Sequence, residues 1–347
     1  MLGKLKQISE LAFDDRLKYD IEAFKSSAPL FINKAWNLLE EVGADTLLHN
    51  GITVNQLMEE KNIKNKEMLE CMLDTLVGSG VLKYKDSKYF FLNSPKPATT
   101  EQMDFLQKYY AGSLRWIEFV SSKAKQTLVE GKAPKETGFE HEESLELWDT
   151  IMEESPYSGR IITINKFVSE LKDDSSVLDL GCGGGIGLEA ILRNVNKNID
   201  IVGAEVSKEY LERAKIRIRK ISSETTNQLI RDNLNRLQFI HFDPNKGMPK
   251  NRKYDAVFIS IVLNHIKPEK RGDLFKDIKD LLNENGILAL YQLIHQSKFN
   301  KNPICWIMHT VPSHIEYPFR EEYIKELKNH FKSVEEFMNG VVVIARN

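Results

Sequence analysis

The chain has 347 residues, which predicts about two domains. Lys plus Arg number 48 and Asp plus Glu 50, so a net charge of −2 leaves no global field for holding a nucleic acid. A hydrophobic fraction of 41% beside 28% charged residues is that of a folded chain, and no apolar run is long enough to span a bilayer. The start, Met1-Leu2-Gly3-Lys4-Leu5-Lys6, lacks the apolar run of a signal peptide. A cytoplasmic location is therefore expected, with Cys71, Cys182 and Cys305 as reduced thiols.

In chain order, Leu30, Phe31, Ala35, Trp36, Leu38, Leu39 and Val42 recur at helical spacing, and Gly43 ends that helix. Thr53 caps a second helix over Val54 to Lys61, and Lys66 to Gly78 forms a third. Gly80 to Tyr84 and Lys88 to Leu92 read as two short strands turning at Asp86-Ser87. Three helices and a hairpin make a winged-helix pattern over residues 1–95. Pro95 and Pro97 punctuate the chain, and residues 96–172 read as a helical connector that also covers the second domain.

From residue 173 the period changes. Strands are predicted at Val177–Leu180, Ile199–Ala204, Leu237–Phe242, Tyr254–Ser260 and Gly286–Tyr291, with helices between them. Alternating helices and β-branched strands predict an α/β domain with a mostly parallel sheet. Val334–Met338 and Val341–Ala345 are strand-like and flank Asn339-Gly340, so the sheet should end in an antiparallel hairpin. The stretch 221–236 is longer than its connection needs and reads as an extra helix.

The first strand runs into Gly181-Cys182-Gly183-Gly184-Gly185-Ile186-Gly187, five glycines in seven residues, and then into a helix. Such a loop lets a ligand approach the backbone, and the helix N-terminus offers N–H groups to an anion. A dinucleotide fingerprint fits in poor register, because its first glycine belongs directly after the strand. Asp179, just before the loop, would repel a pyrophosphate and suits a cation. Glu205 follows Gly185 by 20 residues, a spacing suited to accepting ribose hydroxyls, or it caps the helix that starts near Ser207. Asp243 ends the third strand, beside a turn-forming Pro244, and Phe242 or Met248 is placed to pack on a base or in the core.

Val177 to Gly185 resembles the first motif of the class I S-adenosylmethionine-dependent methyltransferases. The resemblance implies a Rossmann-like domain with a seven-stranded sheet and S-adenosyl-L-methionine as cofactor. Its binding residues would be Asp179, Gly181, Gly183, Gly185, Glu205, Asp243 and Phe242. The front of the chain tests against DNA binding: Leu17 to Leu114 holds eleven Lys, thirteen acids and no Arg. An acidic winged helix before such a domain resembles the small-molecule O-methyltransferases of the acetylserotonin, caffeate and polyketide type. That resemblance implies a small, partly apolar substrate, oxygen as acceptor, and a homodimer formed through residues 1–95. It places Met152, within Trp148 to Ser155, on a substrate-facing helix.

The match departs from the family at its base. The family's His position holds Asn264, with His265 one residue later, and the family's supporting Glu is Gln292. His265 is thus the candidate base, with Asn264, Gln292, Trp306 and Met308 as pocket residues. Transfer to carbon or nitrogen, or a non-catalytic cofactor-binding role, are the competing expectations. No His spacing suggests a metal. Arg213, Lys215, Arg217, Arg219 and Lys220 read as a solvated helix face.

Overall fold

The computed structural model describes residues 13–154, 156–242 and 252–347. These form two compact units, one from residues up to 156 together with 295–317, the other from 157–294 and 318–347. Among the described residues no helix is long and apolar enough to cross a membrane.

The first unit is mainly helical: α1 (Phe13–Glu41), α2 (Asp45–Leu48), α3 (Val54–Lys61) and α4 (Lys66–Gly78), then β1 (Leu82–Lys85) and β2 (Lys88–Phe91), then α5 (Thr100–Tyr109), α6 (Ala111–Ser121), α7 (Ala124–Glu130) and α8 (Glu142–Glu153). Thr53 and Gln56 form a capping box at α3, and Asn65 caps α4 by accepting from the Met68 N–H. The strands pair antiparallel around Asp86 and Ser87, both in the left-handed region at φ 51° and 62°, as a tight hairpin requires.

Long-range polar links hold these helices. The buried Glu154 carboxylate accepts from the Gly112 N–H at 3.0 Å and from the Ser113 N–H and hydroxyl, both at 2.6 Å, closing the N-terminus of α6. Arg16 donates to the carbonyls of Glu153 and Glu154 at 2.5 and 2.7 Å. Residues 295–317 are tied to α4: Lys301 meets Asp74 at 3.1 Å, and Tyr89 donates to the same carboxylate at 2.7 Å. Cys71 and Cys305 are joined as a disulfide, their Cα atoms 6.6 Å apart. This corrects the expectation of three reduced thiols. The partners lie 234 residues apart, so only the folded chain brings them together, and Cys182 alone is a buried free thiol.

The second unit runs α9 (Tyr157–Val168), β3 (Ser175–Leu180), α10 (Ile186–Asn194), β4 (Ile199–Glu205), α11 (Lys208–Glu224), α12 (Gln228–Asn235), β5 (Gln238–His241), β6 (Tyr254–Ser260), α13 (Pro268–Leu281), β7 (Leu282–Tyr291), α14 (Arg320–His330), β8 (Ser333–Phe337) and β9 (Val342–Arg346). Its seven-stranded sheet has the order β5-β4-β3-β6-β7-β9-β8. The first five strands are parallel, while β9 runs antiparallel to both β7 and β8. This is the mostly parallel sheet expected from the alternation of strands and helices, closed by the expected antiparallel hairpin, and it has the seven strands that the resemblance implied. Apolar clusters cover both sheet faces, one around Val257, Phe275 and Leu288, the other around Phe167, Leu188 and Phe258.

The stretch 221–236 forms the end of α11 and all of α12. Asn233, fully buried, accepts from the Ile199 N–H at 2.9 Å and donates to the Lys197 carbonyl at 3.0 Å. The extra helix therefore secures the start of β4.

Candidate functional site

Strand order reverses between β3 and β6, and an open sheet of this kind binds ligands at the carboxyl ends of its strands at that point. The glycine loop leaves β3 there. Its backbone is anchored by the Gly181 and Cys182 N–H groups, which donate to the Ala204 carbonyl at 2.8 and 3.0 Å, and by Gly185, which donates to the Cys182 carbonyl at 2.9 Å. Gly181, Gly183 and Gly185 all have positive φ. Gly183 is the informative one: φ is +52° and a Cβ there would meet nothing within 4 Å, so the loop is open on that side. The helix that follows, α10, has no side-chain cap, which leaves its first N–H groups to a ligand or water.

Two buried acids flank the loop. Glu205, ending β4, accepts from the Gly183 N–H at 2.9 Å through Oε2 and from Val206 and Ser207 at 2.8 and 2.9 Å through Oε1. Burial raises its pKa, against the pull of these backbone bonds. Three bonds leave a carboxylate room for a further donor, so capping and ribose contact are compatible roles. Asp179 is 1% exposed and its Oδ2 has no hydrogen-bond partner. Burial pushes its pKa up to about 7, while Arg160 pulls it down and Glu205 adds to the rise.

Phe242 is buried in the same sheet cluster as Leu180 and Ala204. Asp243 and Met248 lie outside the described residues.

On the other side of the switch point, Asn264 and Gln292 are buried. Gln292 accepts from the Leu263 N–H at 2.9 Å and donates to the Asn264 side-chain oxygen at 3.3 Å. The Asn264 amide nitrogen lies 3.1 Å from Nε2 of the half-buried His265. A neutral amide pair therefore stands where a His backed by a carboxylate was the pattern to compare with. Ile261, between β6 and this turn, has φ +57°, a strained conformation for a β-branched residue and one that concentrates at functional sites.

The remaining predicted pocket residues, Met152, Trp306 and Met308, belong to the first unit. Trp306 and Met308 are fully buried there, and Met152 is half-buried on α8. The predicted site residues thus fall into two sets: the cofactor set with Asn264, His265 and Gln292 in the second unit, and these three in the first. Among the described residues no group of three His, Cys, Asp or Glu is placed to hold a metal.

Two residues of the site escaped the sequence reading. Arg217 on α11 donates to the Gly184 carbonyl at 2.9 Å and meets Glu189 of α10 at 3.1 Å, gripping the loop from behind. It was expected on a solvated face, and this corrects that reading. The signal was present: Ala214, Ile218 and Ile221 form the buried face of α11, and Arg217 flanks it. Ala214 lies 3.1 Å from where a Gly185 Cβ would stand, so helix and loop are in close contact. Arg160 on α9 is 4% exposed, and its Nε donates to the Ser260 hydroxyl at 3.2 Å. No motif announces it.

Residues 177–286 match the family model described as a methyltransferase domain. A carboxy-S-adenosyl-L-methionine synthase of Glaesserella parasuis serovar 5 (strain SH0165) is 27% identical over 172 residues, 48% of this chain and 66% of that protein. The chain thus spans just under two thirds of that relative's length. The structure of the CurJ carbon methyltransferase superposes with a TM-score of 0.69 at 15% identity, covering 99% of this chain and 96% of that one. An O-methyltransferase family 2 protein of Planctomyces limnophilus DSM 3776, in complex with apigenin, gives 0.55 at 12% identity, covering 95% and 94%. Both likenesses are of fold. S-adenosylmethionine is the group that a methyltransferase domain takes, and the residues present fit it. The unpartnered Asp179 oxygen suits a cationic ligand, the open side of Gly183 admits it, and the α10 N-terminus suits a carboxylate.

Proposed function

We propose that this chain is an S-adenosylmethionine-dependent methyltransferase acting on a small, partly apolar molecule. The observation that carries this reading is the pair of buried acids astride an open glycine loop at the switch point of the sheet. When bound, the cofactor supplies a sulfonium methyl open to in-line displacement. The chain's part is to fix its orientation and exclude water. Asp179 faces positive charge, Glu205 receives ribose hydroxyls, and the loop and α10 N–H groups hold the carboxylate. Residues 1–95 act in this reading as a winged-helix dimerisation module, supported by the helices α1 to α4 and the β1–β2 hairpin, with no Arg in the stretch beyond Arg16.

The acceptor this site suits best arrives already acidic, such as a carbon between two carbonyls. Asn264 and Gln292 orient their surroundings but cannot take up a proton. Oxygen is the second reading, favoured by the half-buried His265 ring as base. The name of the Glaesserella relative adds a third possible outcome, a reaction on the cofactor's own methyl group.

Calorimetry with S-adenosylmethionine tests the cofactor step. Binding should be lost in Gly183→Arg and weakened in Glu205→Ala, and absence of binding to the wild type would defeat the reading. Mass spectrometry of candidate acceptors then separates the outcomes. A product heavier by one methylene unit supports methyl transfer, whereas a carboxylated cofactor supports the chemistry in the relative's name. His265→Ala with undiminished turnover at neutral pH would remove the oxygen-with-base mechanism.

A further inference from the structure

Asp179 is the last but one residue of β3, and its side chain lies under the first turn of α10. A Cβ on Gly187 would stand 2.6 Å from its Oδ2, so the helix passes over the carboxyl only because residue 187 is glycine. That oxygen is buried and has no hydrogen-bond partner. Asp179 stands in register with Phe258 of β6, two residues before the Ser260 that Arg160 holds. Arg160 is thus anchored at the carboxyl end of β6, one of the two strands that frame the switch point.

The charged and titratable groups that act on Asp179 come from each element around it: Arg160 of α9 and Glu205 of β4, with the buried Cys182 of the loop interacting in turn. Around Arg160 stand Tyr157 of α9, Tyr291 of β7 and Arg217 of α11. One buried carboxyl thus feels both a cation and an acid, with one oxygen unspent.

We propose that Arg160 is a positioning residue of the cofactor cradle: it keeps the Asp179 carboxyl available to a cation, so that capture of S-adenosylmethionine expels a proton from beneath the glycine loop. This rests on the methyltransferase reading above. Burial without a hydrogen bond favours the neutral carboxyl, and Arg160 alone only partly offsets that, leaving the group near neutrality at about 7. A ligand cation supplies the second favourable charge. The exchange balances: the protonated carboxyl and the cationic ligand become a carboxylate–cation pair, and the proton passes to the buffer. By linkage, affinity falls as pH drops below the empty site's pKa, by up to about tenfold per pH unit, and levels off above it until the ligand's own α-amino group begins to deprotonate near about pH 8.

The test is calorimetry of the full chain with S-adenosylmethionine alone, from about pH 6 to about pH 8.5, in two buffers of different ionisation enthalpy. The proposal predicts a buffer-dependent heat that reports proton release, largest at the acid end. Arg160→Met should move the break in affinity upward by about one pH unit or more, weakening binding about fivefold or more near pH 7 and restoring it toward the alkaline end. Arg160→Lys should keep the wild-type profile. A purely structural role would lower affinity equally at every pH. Asp179→Asn should remove the buffer-dependent heat; should it or Arg160→Met fail to fold, the wild-type and Arg160→Lys profiles decide. Wild-type binding with a flat pH profile and no buffer-dependent heat would overturn the proposal and leave the cofactor reading intact. No binding at any pH would defeat both.

Discussion

In the second unit, the groups of the proposed cradle lie close in sequence or one strand apart: Asp179, the glycines that follow it, and Glu205 on the next strand. In the first unit, the groups that matter to packing come from far apart. Glu154 closes a helix that begins some forty residues earlier, and Cys305 meets Cys71 across 234 residues. The contrast is physical. A ligand cradle at a strand–helix junction needs particular residues at fixed short offsets, whereas a helical unit closed by polar ties can draw each partner from any surface that the fold brings near.

The largest expected effect is in the cradle. Gly183→Arg should abolish S-adenosylmethionine binding while the chain keeps its circular dichroism spectrum, since the new side chain enters open space rather than the core. An unfolded variant would mean that the loop is needed for folding itself, which would blur the contrast. Next is the first unit. Glu154→Ala leaves the Gly112 and Ser113 donors without their acceptor, and should cost about 2–4 kcal/mol in denaturant unfolding. A cost below about 0.5 kcal/mol would show that the polar ties of this unit are dispensable.

A third effect follows from the raised pKa of Asp179. A carboxyl whose folded pKa lies above its unfolded value binds its proton more tightly in the native state. The stability it contributes is present at low pH and is lost as pH rises from about 4 through about 7. The unfolding midpoint of the ligand-free chain should drop across that window, and Asp179→Asn should flatten the slope there. An unchanged slope in the variant would assign the effect to another group. The smallest effect is at Arg217→Gln, which removes the charged donor to the Gly184 carbonyl and should weaken the cofactor by about threefold to tenfold. Equal affinity would return Arg217 to the solvated face on which it was first placed.

How much was legible in the sequence follows the same division. The five parallel strands, the hairpin around Asn339-Gly340 and the loop between Asp179 and Gly187 were read correctly, because each rests on local period or turn chemistry. Asn264 and Gln292 were singled out from the pattern, and the structure adds that they bond to one another. Arg160 and Arg217 were not legible as parts of the proposed cradle. They reach it from helices before and after the loop, and a helical pattern alone does not say which of several basic residues turns inward. The disulfide was missed for the related reason that spacing says nothing about a pair joined only by folding.

The most direct test of the account is a calorimetric titration of the full chain with S-adenosylmethionine in the absence of any acceptor. The account predicts one saturable site, weakened in Glu205→Ala and absent in Gly183→Arg. No heat of binding, or binding that Gly183→Arg leaves unchanged, would contradict it.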